Sequence, residues 1–379
     1  MKRRTVLKTF ACGACASLLP INPIRQGGGL VENALCLDTT DTLSDVDAMF
    51  YEKREGTAIE CLLCPRHCRV TDLERGYCGV RENRDGRYIT LVHSRACAIN
   101  IDPIEKKPLF HFKPGTPAFS IATAGCNVNC QFCQNWDISQ VRPEQVANVE
   151  LTPEDITQIC RQRRVPTIAY TYSEPVVFYE YMYDTCLKSR KNGIKNVVIT
   201  GGYIEEKPLR KLLGLVDAVK VDLKAFSGDY YREIVNGELQ PVLEALKIIR
   251  EEGVWLELVY LMVPTLNDSE DEIKQLCGWI LENLGDRVPI HFTRFHPAYL
   301  MKNLPSILLE SLEKAYTIAS QSGLRYPYVG NVPGHDGEHT RCPDCGRIVI
   351  RRRGFTILEN DLVEGRCRFC EQDLDGVWS

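Results

Sequence analysis

The sequence predicts an α/β protein built around a partial (β/α)6 TIM-type barrel, with one cysteine-rich metal-binding module before the barrel and another after it. The barrel is predicted by short apolar runs that alternate with helical patterns from Ala118 onward and that end close to Pro or Gly. The modules are predicted by the 18 cysteines, most of which fall in C-x-x-C or C-x-x-x-C groups. We therefore expect an N-terminal module at 44–117, the barrel at 118–339 and a C-terminal module at 340–379.

The composition of the 379-residue chain excludes several classes of protein. With 44% hydrophobic and 25% charged residues, the chain is neither disordered nor collagen-like, and we expect a soluble globule. It contains no apolar run of about 18 residues, so no transmembrane segment is predicted. The 46 basic and 50 acidic residues leave a net charge of -4, which argues against a nucleic-acid partner.

Residues 1–43 are predicted to lie outside the folded core. Residues 1–7 read MKRRTVL, and the paired Arg3 and Arg4 precede a modest apolar stretch at 9–19. This pattern resembles a twin-arginine export signal followed by a linker. The alternative is an ordinary basic N-terminus.

The periodicity of the barrel region predicts six strands and several helices. Because ligands bind at the carboxyl ends of the strands in parallel α/β folds, we expect the functional residues to cluster there. The strands are predicted at 119–123, 167–171, 196–200, 218–223, 255–261 and 289–293, and helices at 176–192, 240–252 and 270–283.

Three cysteines follow the first predicted strand in the spacing C-x-x-x-C-x-x-C, and we call Cys126, Cys130 and Cys133 the cysteine triad. Three thiolates can ligate three irons of a [4Fe–4S] cube and leave the fourth iron without a protein ligand. A structural zinc site would need a fourth close ligand, and the neighbouring side chains are not preferred ones. The triad therefore predicts an iron–sulfur cluster with one open, catalytic iron, in preference to three coincidentally spaced core cysteines. The aromatic Phe132 before the last cysteine strengthens the match.

Several motifs together resemble one family, the AmmeMemoRadiSam system radical S-adenosylmethionine (SAM) enzymes, which are relatives of the pyruvate formate-lyase activating enzymes. The similarity extends over about 50–378. The motifs include Cys61-Leu-Leu-Cys64-Pro-Arg-His67-Cys68, Asp102-Pro-Ile-Glu-Lys-Lys-Pro, Cys133-Gln-Asn-Trp136, Tyr170-Thr-Tyr-Ser-Glu174-Pro and Val329-Gly-Asn-Val-Pro-Gly-His335. The resemblance implies that SAM binds the open iron through its amino and carboxylate groups.

The resemblance also implies which side chains contact SAM. Glu174 occupies the position that accepts the SAM amino group, and a carboxylate is the natural partner of an ammonium. Asp222 and Lys224 match a D-L-K motif that contacts the carboxylate and ribose, although a buried structural ion pair is the alternative. The remaining positions are Ser173, where relatives often carry glycine, Thr200, whose T-G-G sequence departs from the family's T-N-G, and His296, which matches a histidine near the adenine.

The outer cysteines form two groups of four. Cys342, Cys345, Cys367 and Cys370, the C-terminal thiols, have nearly the spacing of a zinc ribbon, and zinc is preferred there over a second iron–sulfur cluster. Cys61, Cys64, Cys68 and Cys78, the N-terminal thiols, fit either zinc or an auxiliary [4Fe–4S] cluster, because spacing alone does not separate the two metals.

The sequence thus predicts an enzyme that reductively cleaves SAM to a 5′-deoxyadenosyl radical and abstracts hydrogen from an unidentified substrate. The alternatives are a glycyl-radical-enzyme activase, which would act on a protein glycine, and a non-catalytic iron–sulfur electron carrier. We expect a flavodoxin- or ferredoxin-type reductant, and the resemblance adds AMMECR1-like and Memo-like proteins as partners. A cytoplasmic location suits this chemistry, whereas the twin-arginine pattern favours export.

Overall fold

The centre of the structure is an eight-stranded sheet in which seven consecutive strands run parallel to one another. The computed structural model describes residues 39–40 and 42–379, so the predicted export signal lies outside the described residues. Along the sheet the strands keep their chain order. They are β1 Ala98–Pro103, β2 Pro117–Ala122, β3 Thr167–Tyr170, β4 Lys195–Thr200, β5 Ala218–Asp222, β6 Trp255–Met262, β7 Ile290–Arg294 and β8 Pro327–Gly330.

Six longer helices connect the seven parallel strands, so the predicted TIM-barrel-like α/β fold is confirmed. Local chemistry fixes where helices begin. At the first, Thr152 accepts a hydrogen bond from the Asp155 N–H, Asp155 accepts one from the Thr152 N–H, and Pro153 takes the first helical position. The helices are α1 Pro153–Arg163, α2 Tyr179–Arg190, α3 Glu206–Leu213, α4 Leu239–Glu251, α5 Glu270–Asn283 and α6 Leu309–Ser322.

The sheet contains two strands beyond the six predicted. β8 adds a seventh parallel strand beside β7, and β1 pairs antiparallel with β2 along its whole length. β1 thus joins the central sheet from the segment 44–117, which the sequence analysis assigned to the N-terminal module. The described residues, 39–40 and 42–379, lie in a single compact unit that includes both modules and the barrel.

The two modules consist of short antiparallel strands. In the N-terminal module these are Val46–Asp47, Tyr51–Lys53, Ile59–Cys61, Arg69–Val70, Arg81–Arg84 and Arg87–Thr90. In the C-terminal module they are Thr340–Arg341, Ile348–Arg353, Thr356–Asn360, Leu362–Val363 and Arg366–Cys367. A further small sheet joins Thr39–Thr40, Asn148–Glu150 and Arg95–Ala96.

The C-terminal module packs at the end of the barrel where the parallel strands begin. Phe112 belongs to an apolar cluster with the first residues of several strands, and Val377 packs against it. The Val377 N–H donates to the His111 carbonyl over 2.7 Å, and the Lys113 N–H donates to the Val377 carbonyl over 2.6 Å. This packing leaves the opposite, carboxyl end of the strands for the predicted site. Among the helices that the structure describes, none is long and apolar enough to cross a bilayer.

Candidate active site and metal centres

The cysteine triad lies on the loop that follows β2, at the carboxyl end of the parallel strands. Gly125 has a φ of +97°, and a Cβ there would lie 2.8 Å from the Cys78 carbonyl oxygen and 2.7 Å from a Val80 methyl group. Only glycine fits this close approach. The triad loop is therefore pressed directly against the N-terminal module.

Backbone hydrogen bonds hold the triad loop in place. The Asn129 N–H donates to the Val235 carbonyl over 3.1 Å, and the Gln131 N–H donates to the Ile234 carbonyl over 3.0 Å. On the other side, the Asn127 amide donates to the Tyr203 carbonyl over 2.7 Å. The loop is thus shaped by its neighbours before any ligand binds, which is what a metal site requires.

Cys130 is buried, Cys126 and Cys133 are half-buried, and charged groups lie near Cys126 and Cys130. Burial raises the pKa of Cys130 to about 12, and the nearby Lys224 ammonium opposes that increase. Burial also raises the pKa of Cys126, and the charge of Glu174 adds to the effect. Cys133 Sγ lies 3.2 Å from Ser139 Oγ. Thiols that resist ionisation in this way need a bound metal to exist as thiolates, because the metal replaces the proton.

Glu174 is buried beside the triad and holds its carboxylate in a defined position. One oxygen accepts from Thr200 Oγ1 at 2.6 Å and from the Val176 N–H at 3.1 Å, and the other accepts from the Gly201 N–H at 2.8 Å. Burial raises the pKa of Glu174, while the bonds from Thr200 and Gly201 lower it. A carboxylate has about four lone-pair sites, so one remains for a further donor such as an ammonium.

Asp222 and Lys224 are joined to each other at the end of β5. Lys224 Nζ lies 3.2 Å from an Asp222 oxygen, and Lys220 Nζ contacts the other oxygen. Although burial opposes ionisation, Lys220 and Lys224 lower the pKa of Asp222 to about 2. The predicted pair therefore belongs to a three-residue ion cluster. Lys220 was missed by the sequence analysis, yet its alternation with the other two in the strand was a signal for it.

The remaining predicted residues are spread over the same end of the barrel. Ser173 Oγ donates to the Thr123 carbonyl at 2.7 Å, just before the triad loop. Phe132 is buried, with its ring 6.2 Å from that of Tyr230. His296 is exposed, and its Nδ1 lies 3.4 Å from Ser306 Oγ.

A second polar cluster inside the barrel was also missed. Asp102 accepts a hydrogen bond from the Tyr172 hydroxyl, and Lys107 Nζ lies 2.6 Å from the same carboxylate oxygen. Burial lowers the pKa of Lys107 to about 8, against the attraction of Asp102. The signal available in the sequence was the Asp102-Pro-Ile-Glu-Lys-Lys motif, but nothing in it points to Tyr172.

The C-terminal thiols form a compact four-sulfur group. Cys342 Sγ lies 3.5 Å from Cys370 Sγ, Cys345 Sγ lies 3.8 Å from Cys367 Sγ, and all four sulfurs lie within 4.8 Å of one another. A tetrahedral ion with bonds of about 2.3 Å to sulfur separates its ligands by about 3.8 Å, so the group fits a single zinc. No other set of three metal-binding side chains is this tight in the described part of the chain.

The N-terminal thiols are arranged differently, around a small cavity. All four line it, together with Arg81 and Tyr88 from the module and Asn127 from the triad loop. His67, between Cys64 and Cys68 in the chain, turns its ring nitrogens towards Glu60 and Glu205, at 3.4 and 3.1 Å.

Comparison with known proteins gives three findings on sequence. The profile of the Radical SAM superfamily matches residues 120–277. An uncharacterized protein of Methanocaldococcus jannaschii is 44% identical over 333 residues, which cover 87% of this chain and 99% of that protein. The pyruvate formate-lyase-activating enzyme of Clostridium pasteurianum is 24% identical over 178 residues, covering 45% of this chain and 72% of the enzyme.

Solved structures also resemble part of the chain. A radical SAM methyltransferase from Sphaerobacter thermophilus aligns with a TM-score of 0.45 at 17% identity, covering 60% of this chain and 71% of that one. A domain of the pyruvate-formate lyase-activating enzyme from Bacteroides vulgatus aligns with a TM-score of 0.38 at 16% identity, covering 43% of this chain and 98% of that domain.

Proposed function

Since this chain belongs to the radical SAM superfamily, we propose that it cleaves SAM reductively at a [4Fe–4S] cluster and abstracts hydrogen from a substrate with the resulting 5′-deoxyadenosyl radical. The observation that carries the proposal is the position of the triad. Its three thiols lie at the carboxyl end of the parallel sheet, within electrostatic reach of Glu174 and Lys224.

The triad suits the cluster in its donor set and in its spacing. Three thiols in C-x-x-x-C-x-x-C spacing supply three iron ligands and leave one iron open. The three triad sulfurs do not form a group within 4.8 Å of one another, whereas the sulfurs of a single-ion site do. Lys224 stabilises the thiolate form of Cys130, which is the form that binds iron.

The surrounding side chains suit the polar groups of SAM. Glu174 is buried, oriented by three hydrogen bonds and able to accept another from the SAM ammonium. Asp222 and Lys224 offer opposite charges at the carboxyl end of β5. There the SAM carboxylate and ribose hydroxyls can replace the contact that the two side chains make with each other. Phe132, Ser173, Thr200 and His296 are the remaining proposed contacts.

The test is anaerobic SAM cleavage. Protein reconstituted with iron and sulfide, then supplied with reductant and SAM, should form 5′-deoxyadenosine, and Cys130→Ala should abolish it. Cys160→Ala is the matched control, because Cys160 is buried in α1 and belongs to none of the cysteine groups. If the wild-type protein forms no 5′-deoxyadenosine while its cluster is intact, the proposal is wrong.

The proposal extends to a metal, partners and a compartment. The spacing of the C-terminal thiols supports a structural zinc. We propose a flavodoxin- or ferredoxin-type reductant, a cytoplasmic location, and AMMECR1-like and Memo-like partners if the chain belongs to the AmmeMemoRadiSam group. Co-purification from cells would test the partners.

A glycyl-radical activase is the second candidate, and the similarity to pyruvate formate-lyase-activating enzymes supports it. That similarity covers 45% of this chain. Incubation of the reconstituted protein with a glycyl-radical enzyme, followed by electron paramagnetic resonance for a glycyl radical, separates the two candidates.

A further inference from the structure

The N-terminal thiols are arranged differently from the C-terminal thiols. No three of their sulfurs lie within 4.8 Å of one another, whereas all four C-terminal sulfurs do. One zinc ion requires sulfurs about 3.8 Å apart, an arrangement that the C-terminal sulfurs show and the N-terminal sulfurs do not. A cluster of four irons holds its thiolates farther apart because each binds a different corner of the cube.

Buried polar atoms without partners surround the same cavity. Arg81 is 1% exposed, and its Nη1 lies 3.7 Å from Cys61 Sγ while its Nε has no partner. The hydroxyl of the fully buried Tyr88 and the side-chain oxygen of Asn127 are also unpartnered. The Tyr77 N–H donates to Cys68 Sγ over 3.4 Å. The Arg81 guanidinium, the Tyr88 hydroxyl and the Tyr77 N–H are donors that match the sulfurs of a cluster with negative charge, whose potential such hydrogen bonds set. The Asn127 oxygen is an acceptor and does not take part in this match.

The cavity adjoins the cysteine triad. Asn127 lines the cavity and directly follows Cys126 in the chain, while Val176, another lining residue, is two positions from Glu174. Gly125 lies in the triad loop so close to the N-terminal module that a Cβ on it would be 2.8 Å from the Cys78 carbonyl oxygen. The two thiol groups therefore share a wall made of the segments that carry the proposed SAM site.

From these contacts we infer that the N-terminal thiols hold a second [4Fe–4S] cluster, and that this cluster passes single electrons from the protein reductant to the cluster of the triad. The second part rests on the proposed function. One electron enters the N-terminal cluster, leaves it for the triad cluster, and returns the N-terminal cluster to its oxidised state. All four irons of the N-terminal cluster have protein ligands, so it exposes no iron for SAM.

The first experiment counts metals in a chain without the triad. Cys126→Ala/Cys130→Ala/Cys133→Ala protein, reconstituted with iron, sulfide and zinc together, should retain four irons and four sulfides, plus one zinc at the C-terminal thiols. Its reduced spectrum should not change when SAM is added. Retention of zinc alone, or of no iron, would overturn the inference whether or not the wild-type protein cleaves SAM.

The second experiment tests the relay. Cys61→Ser/Cys64→Ser protein should lose one of two clusters, keep a SAM-responsive cluster and form 5′-deoxyadenosine with dithionite, but fall to background with flavodoxin as the reductant. Normal zinc content and circular dichroism show that the variant folds. Unchanged flavodoxin-driven cleavage would refute the relay, while failure of wild-type cleavage with either reductant would refute the proposed function instead.

Discussion

Each of the two outer cysteine groups offers four thiols as ligands, but the two groups differ in geometry. The C-terminal sulfurs converge, at 3.5 and 3.8 Å, next to the small apolar cluster of Val349 and Leu374. The N-terminal sulfurs surround a cavity with a buried arginine and a buried tyrosine. Ligand number and type therefore do not decide the metal, whereas the distance between sulfurs and the polarity around them do.

The positions of the two groups differ as well. The N-terminal thiols face the carboxyl end of the parallel strands, where the triad lies, and the C-terminal module packs on the end where the strands begin. A metal near the triad can exchange electrons with it, while one at the far end can only stabilise structure. Under the two proposals, four cysteines serve electron transfer at one end of the barrel and four others serve folding at the opposite end.

The largest effect is expected from loss of the C-terminal metal. Cys342→Ser/Cys367→Ser should remove the zinc, and because both thiols are buried in the module's core, the module should unfold. Structural zinc contributes on the order of 10 kcal/mol to the folding of zinc-finger peptides, so the loss should exceed that of an ordinary substitution. Zinc analysis and hydrogen exchange over 340–379 measure it.

The same variant tests whether the metal sites at the two ends of the barrel are independent of each other. Its iron content and its SAM-responsive spectrum should stay at the wild-type level, because the triad and the N-terminal thiols lie at the other end. A matched loss of iron and zinc would show that the two groups do not act separately.

A buried arginine in each module gives the next comparison. Arg81 pairs with the buried Glu180, and Arg352 donates to the Thr340 hydroxyl over 2.6 Å and the Phe110 carbonyl over 2.9 Å. Arg81→Met should cost about 3–5 kcal/mol, because it leaves the Glu180 carboxylate buried and unpaired. Arg352→Met should cost about 1–3 kcal/mol, because it leaves neutral acceptors unpaired. Denaturant unfolding of both variants measures the difference.

Arg54→Met is the control for these variants. Arg54 pairs with Glu60 over 2.8 Å at the surface, where solvent screens the pair, and its loss should leave the denaturant midpoint close to that of the wild-type protein. Equal costs for Arg81→Met and Arg352→Met would contradict the distinction between a charged and a neutral set of acceptors.

The fold was largely predictable because most of its strands are buried on both faces. The run predicted at 255–261 became β6, Trp255–Met262, and the helix predicted at 270–283 has those bounds. β8 was not predicted because it has only four residues and begins with Pro327, and a proline in a short run argues against a strand. β1 escaped because its Ala98–Pro103 residues are mixed in burial, as is usual at a sheet edge.

The site was predictable only where its residues form local motifs. The spacing of the triad predicted the cluster cysteines, and the resemblance to a D-L-K motif predicted Asp222 and Lys224. The contact between Asp102 and Tyr172 joins residues 70 positions apart, and no periodicity encodes it. The separation of the N-terminal sulfurs likewise depends on how strands pack, so sequence left zinc and iron undecided there.

The smallest expected effect is a pH dependence at the base of the barrel, where the C-terminal module attaches. The ring of His111 lies 2.6 Å from the Asp375 carbonyl and 2.5 Å from the Tyr328 hydroxyl. Burial lowers the pKa of His111 to about 4, although the charge of Glu257 opposes this. The unfolded chain takes up the proton near pH 6.5, so this contribution is complete above that pH and is lost as the pH falls towards 4.

Between pH 7 and pH 5, the wild-type protein should therefore lose about 2 kcal/mol through this group, and His111→Gln, which does not titrate, should lose that much less. Denaturant midpoints at pH 5, 6 and 7 give the slope of stability against pH for each protein. The difference between the two slopes is the measure of His111, because Gln also changes the packing at every pH. Hydrogen exchange should show the acid-dependent loosening in 340–379 before it appears around the N-terminal thiols. Parallel slopes for the two proteins would mean that His111 does not remain neutral in the folded state and that another group connects pH to the C-terminal module.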